Sequence, residues 1–231
     1  MNHGQLIGSQ MKSEEQLSIL QEEATKLLNR GDIDELYIVR SQMNEILEKE
    51  ERKPLDFHSD RYNVIAYTVC LDLYDLPRAL KYANKVKNPP ESVTRRIKLI
   101  SEDLNYIERM SKVISYYLTI ARKGTEEQLH ENAFNVFKIS NSVVSNSCGS
   151  SLVKIQLLKA NAILQYRLGA NDYAISIFEE ARRLYPSDTE ILYYLIKALK
   201  KNGDCSRANE LIQYVNRLQL KDDVRKLFTN L

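Results

Sequence analysis

Gly169 and Gly203 stand 34 residues apart, and the same interval separates Ala174 from Ala208, Phe178 from Ile212 and Ala181 from Val215. In each copy a glycine, suited to a turn, precedes three apolar residues, which in the first copy are small, large and small. Steps of four and three put those residues on one helix face. A 34-residue unit of two helices and a turn cannot bury its apolar face alone, so it must stack on its neighbours. That requirement restricts this part of the chain to helical hairpins laid side by side.

The first copy resembles the tetratricopeptide repeat (TPR) at the sites of its second helix. The family's small-large-small-Pro signature reads Ala174, Phe178, Ala181 and Pro186, with Gly169 at the turn between helices. The alanines let paired helices approach, Phe178 fills the gap to the next pair, and Pro186 ends the helix. The first helix departs from the pattern: Leu158, Asn161 and Ala162 stand in place of the usual aromatic, Leu and Gly. The second copy has Leu220 where Pro would fall. The resemblance covers residues 152–219. It implies an all-α fold in which antiparallel helical hairpins stack as a TPR-like right-handed α-solenoid, residues 222–231 forming a C-terminal capping helix.

Upstream, apolar residues at three- and four-residue steps predict helices over 13–29, 32–53, about 60–74 and 126–144, with a further one opening at Asp75-Leu76-Pro77 and closing at Asn88-Pro89-Pro90. The stretch 91–122 is expected to hold two helices meeting near Met110-Ser111. Downstream helices are expected at about 152–168, 172–185, 188–201, 205–218 and 222–229. Arg30-Gly31-Asp32 and Lys123-Gly124-Thr125 look like interhelical turns of the Gly169 sort. The expected organisation is a flexible N-terminus (1–12), a degenerate TPR-like helical region (13–146) and a C-terminal TPR domain (152–231). The polar tract 140–151 marks the boundary.

Lys plus Arg number 33 against 31 Asp plus Glu, so no global charge draws the chain to nucleic acid or membrane. The distribution is uneven: residues 1–60 carry 7 basic and 13 acidic side chains, and residues 150–231 carry 13 and 9. Opposite charges would steer the acidic N-terminal hairpin onto the basic C-terminal groove of the same or another copy. Cys70, Cys148 and Cys205 match neither a disulfide framework nor paired zinc spacing, and His3, His58 and His130 are scattered. Cys70 lies in an apolar run and is expected to be buried; Cys148, in a polar stretch, is the thiol expected to be exposed. No Gly-rich phosphate loop, nucleophile elbow or His-x-x-x-His pair is present. The expectation is a protein without catalysis, cofactor or metal. With no apolar run of membrane-spanning length, it is also expected to be cytoplasmic and not inserted in a membrane.

The resemblance implies that a partner lies in the groove lined by the first helix of each repeat. Alignment places Gln156, Lys159, Ile163, Tyr166 and Arg167 there, then Glu190, Tyr193, Lys197, Lys200 and Lys201. This basic and aromatic set suits an acidic or amphipathic protein segment, with the tyrosines as anchors. Ile163 stands where carboxylate-clamping members of the family carry Asn, which disfavours that subtype. The leading expectation is a scaffold, adaptor or secretion-type chaperone, possible as a homo-oligomer. One alternative is a peptide-responsive sensor. Another is RNA binding through Arg95, Arg96, Lys98, Lys112 and Arg122, although nucleic acid is the weaker expectation.

Overall fold

Four helix-to-helix turns in this chain share one hydrogen-bond pattern. At Gly31, Tyr74, Gly169 and Gly203 the residue takes a positive φ (73°, 57°, 84° and 85°). Its N–H bonds three residues back, and the next N–H bonds five residues back, as in Gly169 to Tyr166 and Ala170 to Gln165. This closes one helix and aims the next antiparallel to it. Glycine meets the conformation without strain, whereas Tyr74 does not.

The structure is a computed structural model that describes residues 12–53, 58–186, 188–218, 220, 222–229 and 231. The flexible segment expected over 1–12 lies, apart from Lys12, outside the described residues. Among these, eleven helices and no strands are present: α1 (Ser13–Arg30), α2 (Ile33–Glu51), α3 (Asp60–Asp72), α4 (Leu76–Ala83), α5 (Glu91–Lys123), α6 (Glu126–Ser142), α7 (Cys148–Arg167), α8 (Asn171–Leu184), α9 (Thr189–Lys201), α10 (Cys205–Arg217) and α11 (Asp222–Phe228). The fold is all-α, and none of the helices is long and apolar enough to cross a membrane.

Several expectations are corrected. The stretch 91–122 is one helix, α5, and not two. Its N-terminal part sends Val93 and Ile100 into one core, and its C-terminal part sends Leu118, Ile120 and Ala121 into another. Between Ile100 and Leu118 no residue is fully buried, but Ile107, Met110, Val113 and Ile114 carry the stripe on, partly buried against a small third core of Val143, Val153 and Leu157. The turn at Gly124 is not of the Gly169 kind. Gly124 is extended (φ −61°, ψ 156°), and Thr125 starts α6 through a capping box with Gln128.

The polar tract is a packed corner as well as a chain reversal. Ser147 and Ser150 form a reciprocal capping box that starts α7 at Cys148, four residues earlier than expected. Ser147 Oγ donates to Asp103 Oδ1 at 2.5 Å, and a Cβ on Gly149 would lie 2.9 Å from the Asp103 Cα, so only glycine allows α7 this close to α5. Cys148, expected to be exposed, is half-buried with its thiol directed at the Leu71 carbonyl (3.5 Å); the exposed thiol is Cys205. Burial pushes Cys70 up to about 12 and Cys148 up to about 11. In native protein at pH 8, a thiol-specific disulfide reagent is therefore expected to titrate one cysteine rapidly, and all three after denaturation. Rapid native labelling of Cys148, located by peptide mapping, would contradict the packing at this corner.

From Cys148 onward, contacts fix the direction of successive helices. Gly149 meets Asp103 and Arg167 meets Ala121, both 46 residues apart, so α7 runs alongside α5 in the same direction. Lys159 meets Asp188 and Tyr166 meets Tyr194, so α9 follows α7 in the same sense. The repeat is visible in burial: Ala174, Ala208, Phe178, Ala181 and Val215 are all buried, while Ile212 packs against the core edge. The acidic N-terminal hairpin does fold onto the C-terminal region, but onto its second helices. Asp34 pairs with Arg182 of α8, and Tyr37 packs edge-on against Tyr214 of α10 at 6.2 Å.

Candidate functional site

The ten residues expected to line the groove divide into two sets. Lys159, Ile163, Arg167 and Glu190 engage neighbouring helices, the first two of them buried. Ile163 is fully buried in the core. Lys159 is 6% exposed, with Nζ 2.7 Å from Asp188 Oδ2 and 3.2 Å from Glu190 Oε2. Arg122 of α5 grips the same Glu190 side-on, Nε to Oε1 at 2.7 Å and Nη2 to Oε2 at 2.5 Å. Asp188 also caps α9 through the N–H groups of Glu190 and Ile191. One network therefore ties α5, α7 and α9 together. Arg167 donates to the carbonyls of Ala121 and Gly124 past the end of α5, and to that of Ile120, which also accepts the Gly124 N–H. Of these four, Ile163 and Lys159 are buried and offer a partner no surface, whereas half-buried Glu190 and exposed Arg167 turn their charged heads toward α5. Arg122, a member of the basic run considered for RNA, is exposed and paired with Glu190.

Glu190 senses this network. Burial alone would push its carboxyl up, but the hydrogen bond from Arg122 and the nearby charges of Lys159 and Arg122 hold it below its ordinary 4.5. A depressed folded value stabilises the protein above the unfolded value and is lost as pH falls through the folded one. The stability gap between wild type and Glu190→Gln is therefore expected to be full at pH 6–7 and to narrow progressively below about pH 4.5. Urea denaturation across that range checks this; a gap independent of pH would contradict it.

The second set comes together on one face. Tyr166 of α7 and Tyr193 of α9 both pack edge-on against Tyr194, at 6.0 and 5.2 Å. Tyr194 in turn stacks on buried Phe178 at 6.2 Å, which anchors the cluster to the repeat core. Lys201 Nζ lies 5.1 Å from the Tyr166 ring centre and Lys197 Nζ 5.2 Å from that of Tyr193. Burial disfavours the Lys197 charge, but its hydrogen bond to Tyr193 Oη and the surrounding tyrosines raise its pKa above the ordinary lysine value. Neither lysine has a carboxylate partner among the described residues. Gln156, half-buried on α7, occupies an earlier turn.

The C-terminal segment borders this face. Phe228 of α11 is buried, edge-on to Tyr193 at 6.0 Å, and Lys200 donates to the Leu231 main-chain oxygen. Tyr194 was not among the expected residues, yet it joins the two tyrosines that were. Its signal was available: it lies four residues after Glu190, on the same face as an expected groove position. Among the described residues no three His, Cys, Asp or Glu side chains gather as a metal site would require. Comparison with known families, curated proteins and solved structures gives no match.

Proposed function

We propose that the chain is a non-catalytic binding module, a scaffold, adaptor or chaperone, that holds an acidic or amphipathic segment of a partner protein against the α7–α9–α11 face. In this reading the hairpins from α5 onward form a TPR-like right-handed solenoid with α11 as its cap. The 34-residue period, the recurrent glycine turn and the parallel course of α5, α7 and α9 support that architecture.

The observation that carries the functional reading is the pairing of aromatic anchors with cations that have no acidic partner among the described residues. Tyr166, Tyr193 and Tyr194 offer large rings that lose little side-chain entropy on binding. Lys197 and Lys201 would meet carboxylates without first breaking an ion pair. Selection of displayed 12-residue peptides on the purified protein tests this. Enrichment of sequences combining Asp or Glu with Phe, Leu or Ile is expected. No enrichment, or enrichment of basic sequences, would overturn the reading.

A further inference from the structure

Arg40 of α2 is 7% exposed, yet no hydrogen bond or ion pair engages its guanidinium among the described residues, and Nε and Nη1 are fully buried without a partner. An unpaired buried cation is costly, and native proteins keep one only where something compensates it. The compensation visible here is weak. Tyr74 offers its ring at 6.0 Å, the outer limit of a cation–π contact. Asp72 is nearby, but its carboxylate accepts from Gln21 at 2.6 Å instead of meeting Arg40. Cys148 is close, but burial keeps it a neutral thiol.

Arg40 lines a cavity of about 380 Å³, walled by Tyr37, Leu73, Tyr74, Pro77 and Tyr185, with Ser41, Asn44 and Asp75 as its polar groups. Asp75 is offset by Arg78 at 3.4 Å, and Asn44 accepts from Arg78 at 2.8 Å, so neither competes for Arg40. Tyr74 occupies the turn position that is glycine at 31, 169 and 203, at a strained φ of 57°. What the tyrosine adds over glycine is a ring, packed edge-on to Tyr185 at 5.5 Å. Strain of this kind persists where the surroundings hold it, often at ligand clamps.

We infer that this cavity is a binding site for a small aromatic oxyanion, a planar ring carrying a carboxylate or phosphate group, with Arg40 taking the oxyanion and Tyr37, Tyr74 and Tyr185 taking the ring. Its volume suits a small-molecule ligand. The walls come from α2, the α3–α4 turn and the end of α8, so an occupant ties the N-terminal hairpin to the C-terminal repeats. The site is separate from the α7–α9–α11 face, and its test does not depend on that face.

Thermal unfolding in phosphate-free buffer at constant ionic strength tests it, with phenyl phosphate, benzoate, neutral benzamide and inorganic phosphate as probes. Phenyl phosphate or benzoate near saturation is expected to raise Tm by about 5 °C, and benzamide to leave it unchanged. In Arg40→Met the shift is lost, while the ligand-free variant is at least as stable as wild type, because the unpaired charge is gone. If Arg40→Met does not fold, Ser41→Asp serves: its carboxylate at the half-buried lip takes up Arg40 and suppresses the shift. No shift with either aromatic oxyanion, an equal shift in Arg40→Met, or an undiminished one in Ser41→Asp would overturn the proposal. An equal shift with inorganic phosphate would overturn its aromatic part.

Discussion

Replacing Lys159 with methionine is expected to destabilise the protein by about 3–5 kcal/mol, because it strands a buried carboxylate. Asp188 is 9% exposed at its side chain, and Lys159 is its sole ion-pair partner among the described residues. Glu190 loses less, since Arg122 still holds it side-on. The double variant Lys159→Met/Asp188→Asn should recover most of the loss. Asparagine keeps the cap on the Glu190 and Ile191 N–H groups while removing the charge. Urea midpoints for wild type, single and double variants form the check. A single variant as stable as wild type would mean that Lys159 is a solvent-facing groove residue after all.

Phe178→Ala is expected to cost about 3–5 kcal/mol, as for other large-to-small changes in packed cores. Phe178 is fully buried, stacks flat on Tyr194 (8° between rings), and lies between Ala174 and Ala181, which are too small to fill the space it leaves. The same change at Phe134 of α6, which is 69% exposed, should fall within about 0.5 kcal/mol of wild type. Matched guanidinium denaturation curves separate the two positions. Equal effects would contradict the assignment of Phe178 to the repeat core.

Period-3.6 patterning made nearly every helix legible, and 34-residue spacing located the turns at Gly169 and Gly203. The turn at Tyr74 was placed by Asp75-Leu76-Pro77, but its kinship with the glycine turns was invisible, because sequence gives no sign that a tyrosine will accept a positive φ beside Tyr185. The continuity of α5 was hidden for a different reason: one helix serves three core clusters in turn, and periodicity cannot distinguish that from two helices. Lys159 looked like a groove cation because its partner lies 29 residues away on another element, so its burial is a tertiary fact. Arg40 did leave a trace. It stands four residues after Leu36 and three before Met43, in the buried apolar run of Leu36, Val39, Met43 and Leu47, and a charge there asks for a partner.

The account rests on Lys197 and Lys201 being available beside the tyrosine cluster. The most direct measurement is the dissociation constant of a selected acidic peptide for wild type and for Lys197→Glu/Lys201→Glu, by calorimetry at two salt concentrations. The account predicts binding at least about tenfold weaker in the double variant, with wild-type affinity falling as salt rises. Equal affinity in the two proteins, with both folded to the same stability, would contradict the assignment of the binding face.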